Sequence, residues 1–143
     1  MSRIRGVNLG EWLVLERWMD TSVFRGTDAR DEDNLCRQLD DGAKAERFKE
    51  HRDGFIGEKD FEFIRRCGLD SVRLPIPHFV FGDDSAYCTP YVGCLEYVDR
   101  CFDWAQKYGL SVVLDMHTAP DSQNGYDNGG ICAVCKWHQK PQN

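Results

Sequence analysis

CLEYVDRCFDWAQKYGLSVVLDMH, residues 94–117, is the stretch on which the fold turns. Over 94–109, Leu95, Val98, Phe102 and Ala105 recur at the spacing of one helix face. Gly109 suits the left-handed residue that closes a helix. GLSVVLDMH then runs almost continuously apolar, the pattern of a strand buried on both faces of a parallel sheet. The same grammar lies upstream. EKDFEFIRRCG (58–68) predicts a helix stopped at Gly68, and LDSVRLPIP predicts a strand ended by prolines. Gly68-Leu69 and Gly109-Leu110 lie 41 residues apart, a spacing that suits a repeated βα unit.

Outside these units the chain is less regular. Residues 4–15 (IRGVNLGEWLVL) predict a first strand with an apolar extension. Residues 26–53 form a charged excursion, 15 of 28 residues, with both signs mixed. Leu35, Leu39 and Phe48 within it predict two short surface helices. A loop is expected over roughly 77–93. Strands near 5–9, 70–74 and 111–116, alternating with helices, define an α/β protein with parallel strands. An open doubly wound sheet and a (β/α)8 barrel both fit. Neither GxGxxG nor GxxxxGK[ST] occurs, which removes the strongest argument for a nucleotide-binding sheet.

Composition narrows the partners. The chain has 143 residues, 41% of them hydrophobic, and a formal charge of −6. That is enough for one domain with a core. No basic run argues for nucleic acid or an anionic membrane. No stretch approaches the roughly 18–20 apolar residues of a membrane-spanning helix. MSRIRGVNLGEW lacks the apolar core of a secretory signal. Seven cysteines, an odd number, fit a cytoplasmic protein with reduced thiols.

In either α/β architecture, ligands gather at the carboxyl ends of the strands. Arg73 ends the second predicted strand, and Asp115 and His117 end the third. Arg73 needs a partner, Glu16 or Asp115, whether its role is structural or ligand-facing. His117 enters a loop, HTAPDSQNGYDNGG, rich in turn-forming Asn, Asp and Gly. Gln123, Asn124, Asp127 and Asn128 could offer amide and carboxylate groups to hydroxyls. Asp115 reads as structural, and Trp12, Trp18 and Trp104 read as core. CAVCKWH (132–138) has a C-x-x-C-x-x-H spacing but no second ligand pair for a closed zinc site. Packing thiols beside Trp137 are the simpler expectation, so no metal or cofactor is expected.

Four segments together carry a resemblance: RGVNLGEWLVLERWM (5–19), HRDGFIGEKDFEFIRRCGLDSVRLPIP (51–77), PYVGCLEYVDRCFDWAQKYGLSVVLDMHTAP (90–120) and SQNGYDNGG (122–130). In this order they resemble the N-terminal part of glycoside hydrolase family 5, its exo-β-1,3-glucanase-like branch. The resemblance implies a (β/α)8 barrel, with residues 1–143 holding about its first three βα units. It implies a retaining β-glycosidase that works with two glutamates. It also implies that Glu16, Arg73, His117 and Asp127 face the sugar, with Asn128 and Tyr126 as further candidates. The substrate implied is a β-glucan or another β-glucoside. GGICAVCKWH looks like a bacterial variant of the branch. Three positions depart from the pattern: Glu11, Thr118 and Asp121 stand where the family has glycine.

A full barrel takes about 250 residues. No Asn-Glu dipeptide occurs, so both catalytic glutamates are expected beyond residue 143. The 143-residue chain alone is therefore expected to be inactive. Two other readings stay open: a non-catalytic carbohydrate-binding piece, and a metal or redox module at Cys132 and Cys135.

Overall fold

The computed structural model describes residues 3–82 and 88–140. The expected loop over 77–93 therefore lies partly outside the described residues. Three strands, β1 (Gly6–Asn8), β2 (Ser71–Ile76) and β3 (Ser111–Met116), form one parallel sheet in the order β1-β2-β3. Asn8 pairs with Arg73, and Arg73 with Val113. Among the described residues the connecting helices are α1 (Glu32–Gln38), α2 (Asp41–Phe55), α3 (Glu58–Arg66) and α4 (Leu95–Tyr108).

The helix stops act as the sequence predicts. The Asp60 carboxylate accepts from the Gly57 amide and caps α3. Gly109 closes α4 at φ 65, and Leu110 N donates to Ala105 O at 2.8 Å. One face of β2, carrying Val72, Leu74 and Ile76, packs under Phe61 and Ile64 of α3 and Val98, Cys101 and Ala105 of α4. Trp12 is fully buried in this core and stacks on Trp104 at 6.1 Å.

Five expectations need correction. The first strand spans three residues, Gly6–Asn8, shorter than the expected 5–9, and its apolar extension leaves the sheet. Glu11 adopts φ 64 and turns the chain, so Leu13, Val14 and Leu15 are buried without joining the sheet. The excursion holds the two expected helices, but they are not confined to the surface. α2 runs 15 residues, and Leu15, Val23, Phe24, Ala29, Leu35, Cys36 and Phe48 form a second apolar cluster. The buried face of α4 is Tyr97, Val98, Cys101 and Ala105, whereas Leu95 and Phe102 are exposed. The sheet meets α4 on a stripe shifted around the helix from the one predicted.

β3 is not buried on both faces. It is an edge strand among the described residues, and Val113, Leu114 and Met116 are about half exposed or more. Finally, Trp18 is 73% exposed and is no core residue. It lies within the turn closed by Met19 N donating to Glu16 O, which carries it outward.

Candidate active site at the carboxyl end of the sheet

Side chains alternate along a strand, so Asn8, Arg73, Asp115 and His117 project from the sheet face opposite the α3 and α4 core. Parallel register brings them together. Arg73 Nη1 donates to Asn8 Oδ1 at 3.0 Å, and Arg73 Nη2 donates to Asp115 Oδ2 at 2.8 Å. His117 Nδ1 lies 2.7 Å from the same Asp115 oxygen. A carboxylate there holds the proton on Nδ1, so the lone pair of neutral imidazole sits on Nε2. Arg73 Nη2 also lies 3.3 Å from His117 Nδ1, but a nitrogen donating to Asp115 cannot accept from it. The Arg73 partner is thus Asp115 rather than Glu16. The sequence missed Asn8, which only the β1–β2 register reveals.

The cluster is partly open to solvent. Such charge-assisted bonds are short and directional, and they fix one arrangement of cation, carboxylate and imidazole. What the arrangement can do is present fixed donors and one acceptor to a polar ligand.

The loop behind His117 is held by its own side chains. Gln123 Nε2 donates to His117 O at 2.8 Å, and Ala119 N donates to Gln123 Oε1 at 3.0 Å. Gln123 therefore braces the strand exit instead of offering its amide outward. Asn124 Nδ2 donates to Asn128 Oδ1 at 2.9 Å, and Tyr126 N donates to Asn124 Oδ1 at 3.0 Å. Asp127 Oδ1 accepts from Asn128 N at 3.0 Å. Tyr126 is 69% exposed. Gly129 has no room for a side chain, because a Cβ there would stand 2.3 Å from Ser122 Oγ.

This loop is tied to α1. Asp33 N donates to Gly130 O at 3.0 Å, and Cys132 N donates to Asp31 Oδ2 at 2.7 Å. Cys135 is exposed and Cys132 half-buried, so they are not core-packing thiols. No three His, Cys, Asp or Glu side chains converge as a metal site among the described residues.

Glu16 lies elsewhere, at the end of the buried segment after β1. It is half-buried, and its Oε2 accepts from Trp18 Nε1 at 3.0 Å. No hydrogen bond joins it to Arg73 or His117 among the described residues. Two buried carboxyls stand beneath it. Glu11 Oε2 accepts from Glu16 N, and Glu32 Oε2 accepts from Leu15 N at 3.2 Å. Burial pushes the Glu11 carboxyl up to about 9 and the Glu32 carboxyl up to about 7. Burial likewise holds the His51 imidazole below its ordinary range. Two of the three departures from glycine, Glu11 and Asp121, sit at φ 64 and φ 61. The Asp121 carboxylate pairs with Lys140. Thr118 is buried, and its Oγ1 lies 2.7 Å from His78 Nδ1.

The chain is therefore an α/β protein with a polar cluster at the carboxyl end of a parallel sheet. Its similarities lie among glycosidases. It is 43% identical over 140 residues to probable glucan 1,3-beta-glucosidase A of Emericella nidulans, matching 96% of this chain and 34% of that one. It is likewise 43% identical over 140 residues to the glucan 1,3-beta-glucosidase of Blumeria graminis, matching 94% of this chain and 32% of the relative. The rutinosidase structure from Aspergillus niger superposes with a TM-score of 0.82 at 22% identity, covering 92% of this chain and 37% of that chain. That match shows a shared fold. In sequence the chain is glucan 1,3-beta-glucosidase-like, and it spans about a third of the length of the curated relatives it matches. No family model matches it. No helix of the described residues is long and apolar enough to cross a membrane.

Proposed function

We propose that residues 1–143 are the N-terminal part of a single (β/α)8 barrel of glycoside hydrolase family 5. In this reading the chain supplies sugar-binding residues to a retaining β-glycosidase. The observation that carries it is the 43% identity with glucan 1,3-beta-glucosidases along nearly the whole chain. The polar cluster at the strand ends supports it, since barrel enzymes bind substrate there.

Within this reading, His117 accepts from a sugar hydroxyl through Nε2, with its tautomer held by Asp115. Arg73 supports the negative charge of the nucleophile. Glu16 and Asp127 hold hydroxyls of the terminal glucose, and Asn128 and Tyr126 line its outer side. Both catalytic glutamates lie beyond Asn143, so the 143-residue chain binds a β-glucoside without cleaving it. The seven free thiols support a cytoplasmic setting, and the formal charge of −6 without a basic run supports a reading without nucleic-acid or anionic-membrane partners.

The test is a titration of the chain with methyl β-D-glucopyranoside, followed by nuclear magnetic resonance. Saturable shifts at His117 and Trp18, lost in Asp127→Ala, are expected. An aryl β-glucoside should stay intact. Its hydrolysis by the pure chain, blocked by an active-site-directed inhibitor, would overturn the assignment of the catalytic groups beyond Asn143.

A further inference from the structure

The segment that delivers Glu16 is held from below by acids. Glu11 is 1% exposed, yet it sits at φ 64, where side chains other than Gly, Asn and Asp are rarely found. Such strain persists only where the surroundings enforce it. The surroundings here are named groups. His51 of α2 reaches back to Glu11 O, with Nε2 at 2.8 Å. Trp12, the next residue, donates Nε1 to Arg52 O at 2.9 Å. Glu11 Oε2 then accepts from Glu16 N, five residues on, while Glu32 takes the neighbouring Leu15 N.

Stability alone gives no reason for a glutamate at this position. Its Oε1 is buried and has no partner among the described residues. A glycine would remove both the backbone strain and the unsatisfied oxygen. What glycine cannot supply is an acceptor for the Glu16 amide. The Glu16 side chain has one fixed contact of its own, the Trp18 indole. Its location therefore depends on where its backbone is held.

We infer that Glu11 is a positioning residue, a buried clasp on the Glu16 amide that sets where the Glu16 carboxylate meets a sugar. This rests on the proposed sugar-binding role of Glu16. The clasp acts between residues 11 and 16 and requires no contact between Glu11 and the ligand. The neutral isostere Gln keeps the carbonyl acceptor, whereas Gly and Ala do not.

The experiment compares the native chain with Glu11→Gln, Glu11→Gly and Glu11→Ala. Amide exchange at Glu16 reads the clasp, and the Trp18 indole resonance reads titration with methyl β-D-glucopyranoside. The Val72 and Leu74 amides report whether the sheet is intact. Glu16 exchange should quicken about tenfold in Glu11→Gly, the scale of one net hydrogen bond. Glucoside binding should weaken by a similar factor, and Glu11→Gln should behave like the native chain. Unchanged Glu16 exchange in Glu11→Gly and Glu11→Ala would overturn the clasp. Faster exchange with undiminished glucoside binding would overturn the positioning role. Faster exchange with no glucoside binding by any chain, the native one included, would support the clasp and overturn the sugar reading of Glu16.

Discussion

At the scale of single residues, the buried acids set how the fold responds to pH. In the unfolded chain Glu11 and Glu32 release protons near pH 4–5. Folded, they hold them up to about 9 and about 7. Between those limits the folded chain binds more protons, so stability falls as pH rises. His51 acts in the opposite sense. Its folded affinity for a proton is lowered, so it costs stability as pH drops through its unfolded range near 6.5. Two carboxyls outweigh one imidazole. Tm is expected to fall from pH 6 to pH 9 in a thermal melt. The fall should be shallower in Glu11→Gln, and an equal slope in both proteins would refute the Glu11 assignment.

Legibility was uneven at this same scale. Arg73 and His117 were readable because strand ends are where α/β proteins put polar groups. Their shared Asp115 oxygen and the Asn8 contact were not, because both depend on register between strands some 40 to 65 residues apart. Glu11 was visible only as a departure from glycine, and Glu32 only as one charge of the excursion over 26–53. Nothing local says that a glutamate will adopt φ 64 or be buried, since burial comes from α2 closing over the segment.

At the scale of elements, α1 and the loop behind β3 depend on one another. Asp31 caps α1 through Asn34 N at 2.8 Å with one oxygen and holds Cys132 N with the other. The two amides are 98 residues apart in sequence, yet one buried carboxylate serves both. Asp31→Ala removes the cap and orphans a loop amide. It should destabilise the fold by about 1–3 kcal/mol in urea denaturation. Exchange at the loop amides 130–136 should quicken more than exchange in β2. If loop and sheet amides respond equally, Asp31 supports the fold at large and not this loop. Helices α3 and α4 were legible because their glycine stops and apolar spacing are local. The three-residue length of β1 was not, because one left-handed residue ends it. The helical excursion hid its own apolar cluster because its charges outnumber its few buried side chains.

At the scale of the whole molecule, the sheet has one covered face and, among the described residues, two open edges, β1 and β3. Val113, Leu114 and Met116 lie exposed on β3, and unpaired strand amides there invite another strand. The 143-residue chain is expected to self-associate at micromolar concentration in sedimentation. Leu114→Lys should shift it toward monomer and change stability by no more than about 0.5 kcal/mol, as for an exposed site. A monomeric native chain would show that the edge is too short or too twisted to pair. The near-continuous apolar run of β3 predicts burial on both faces. Its own residues carry that pattern, but the cover must come from elements other than α4.

The strand order bears on how the protein is made. β1, β2 and β3 are neighbours in the sheet in the order in which they are synthesised. Each new strand therefore emerges onto a partner that already exists, and no earlier pairing has to open. At about 5–20 residues per second, the 41-residue step from one βα unit to the next takes roughly 2–8 seconds. During the step from β2 to β3 the β2 edge waits on the ribosome as bare adhesive surface. A chaperone has most to shield there, and two nascent chains on one message have most opportunity to join.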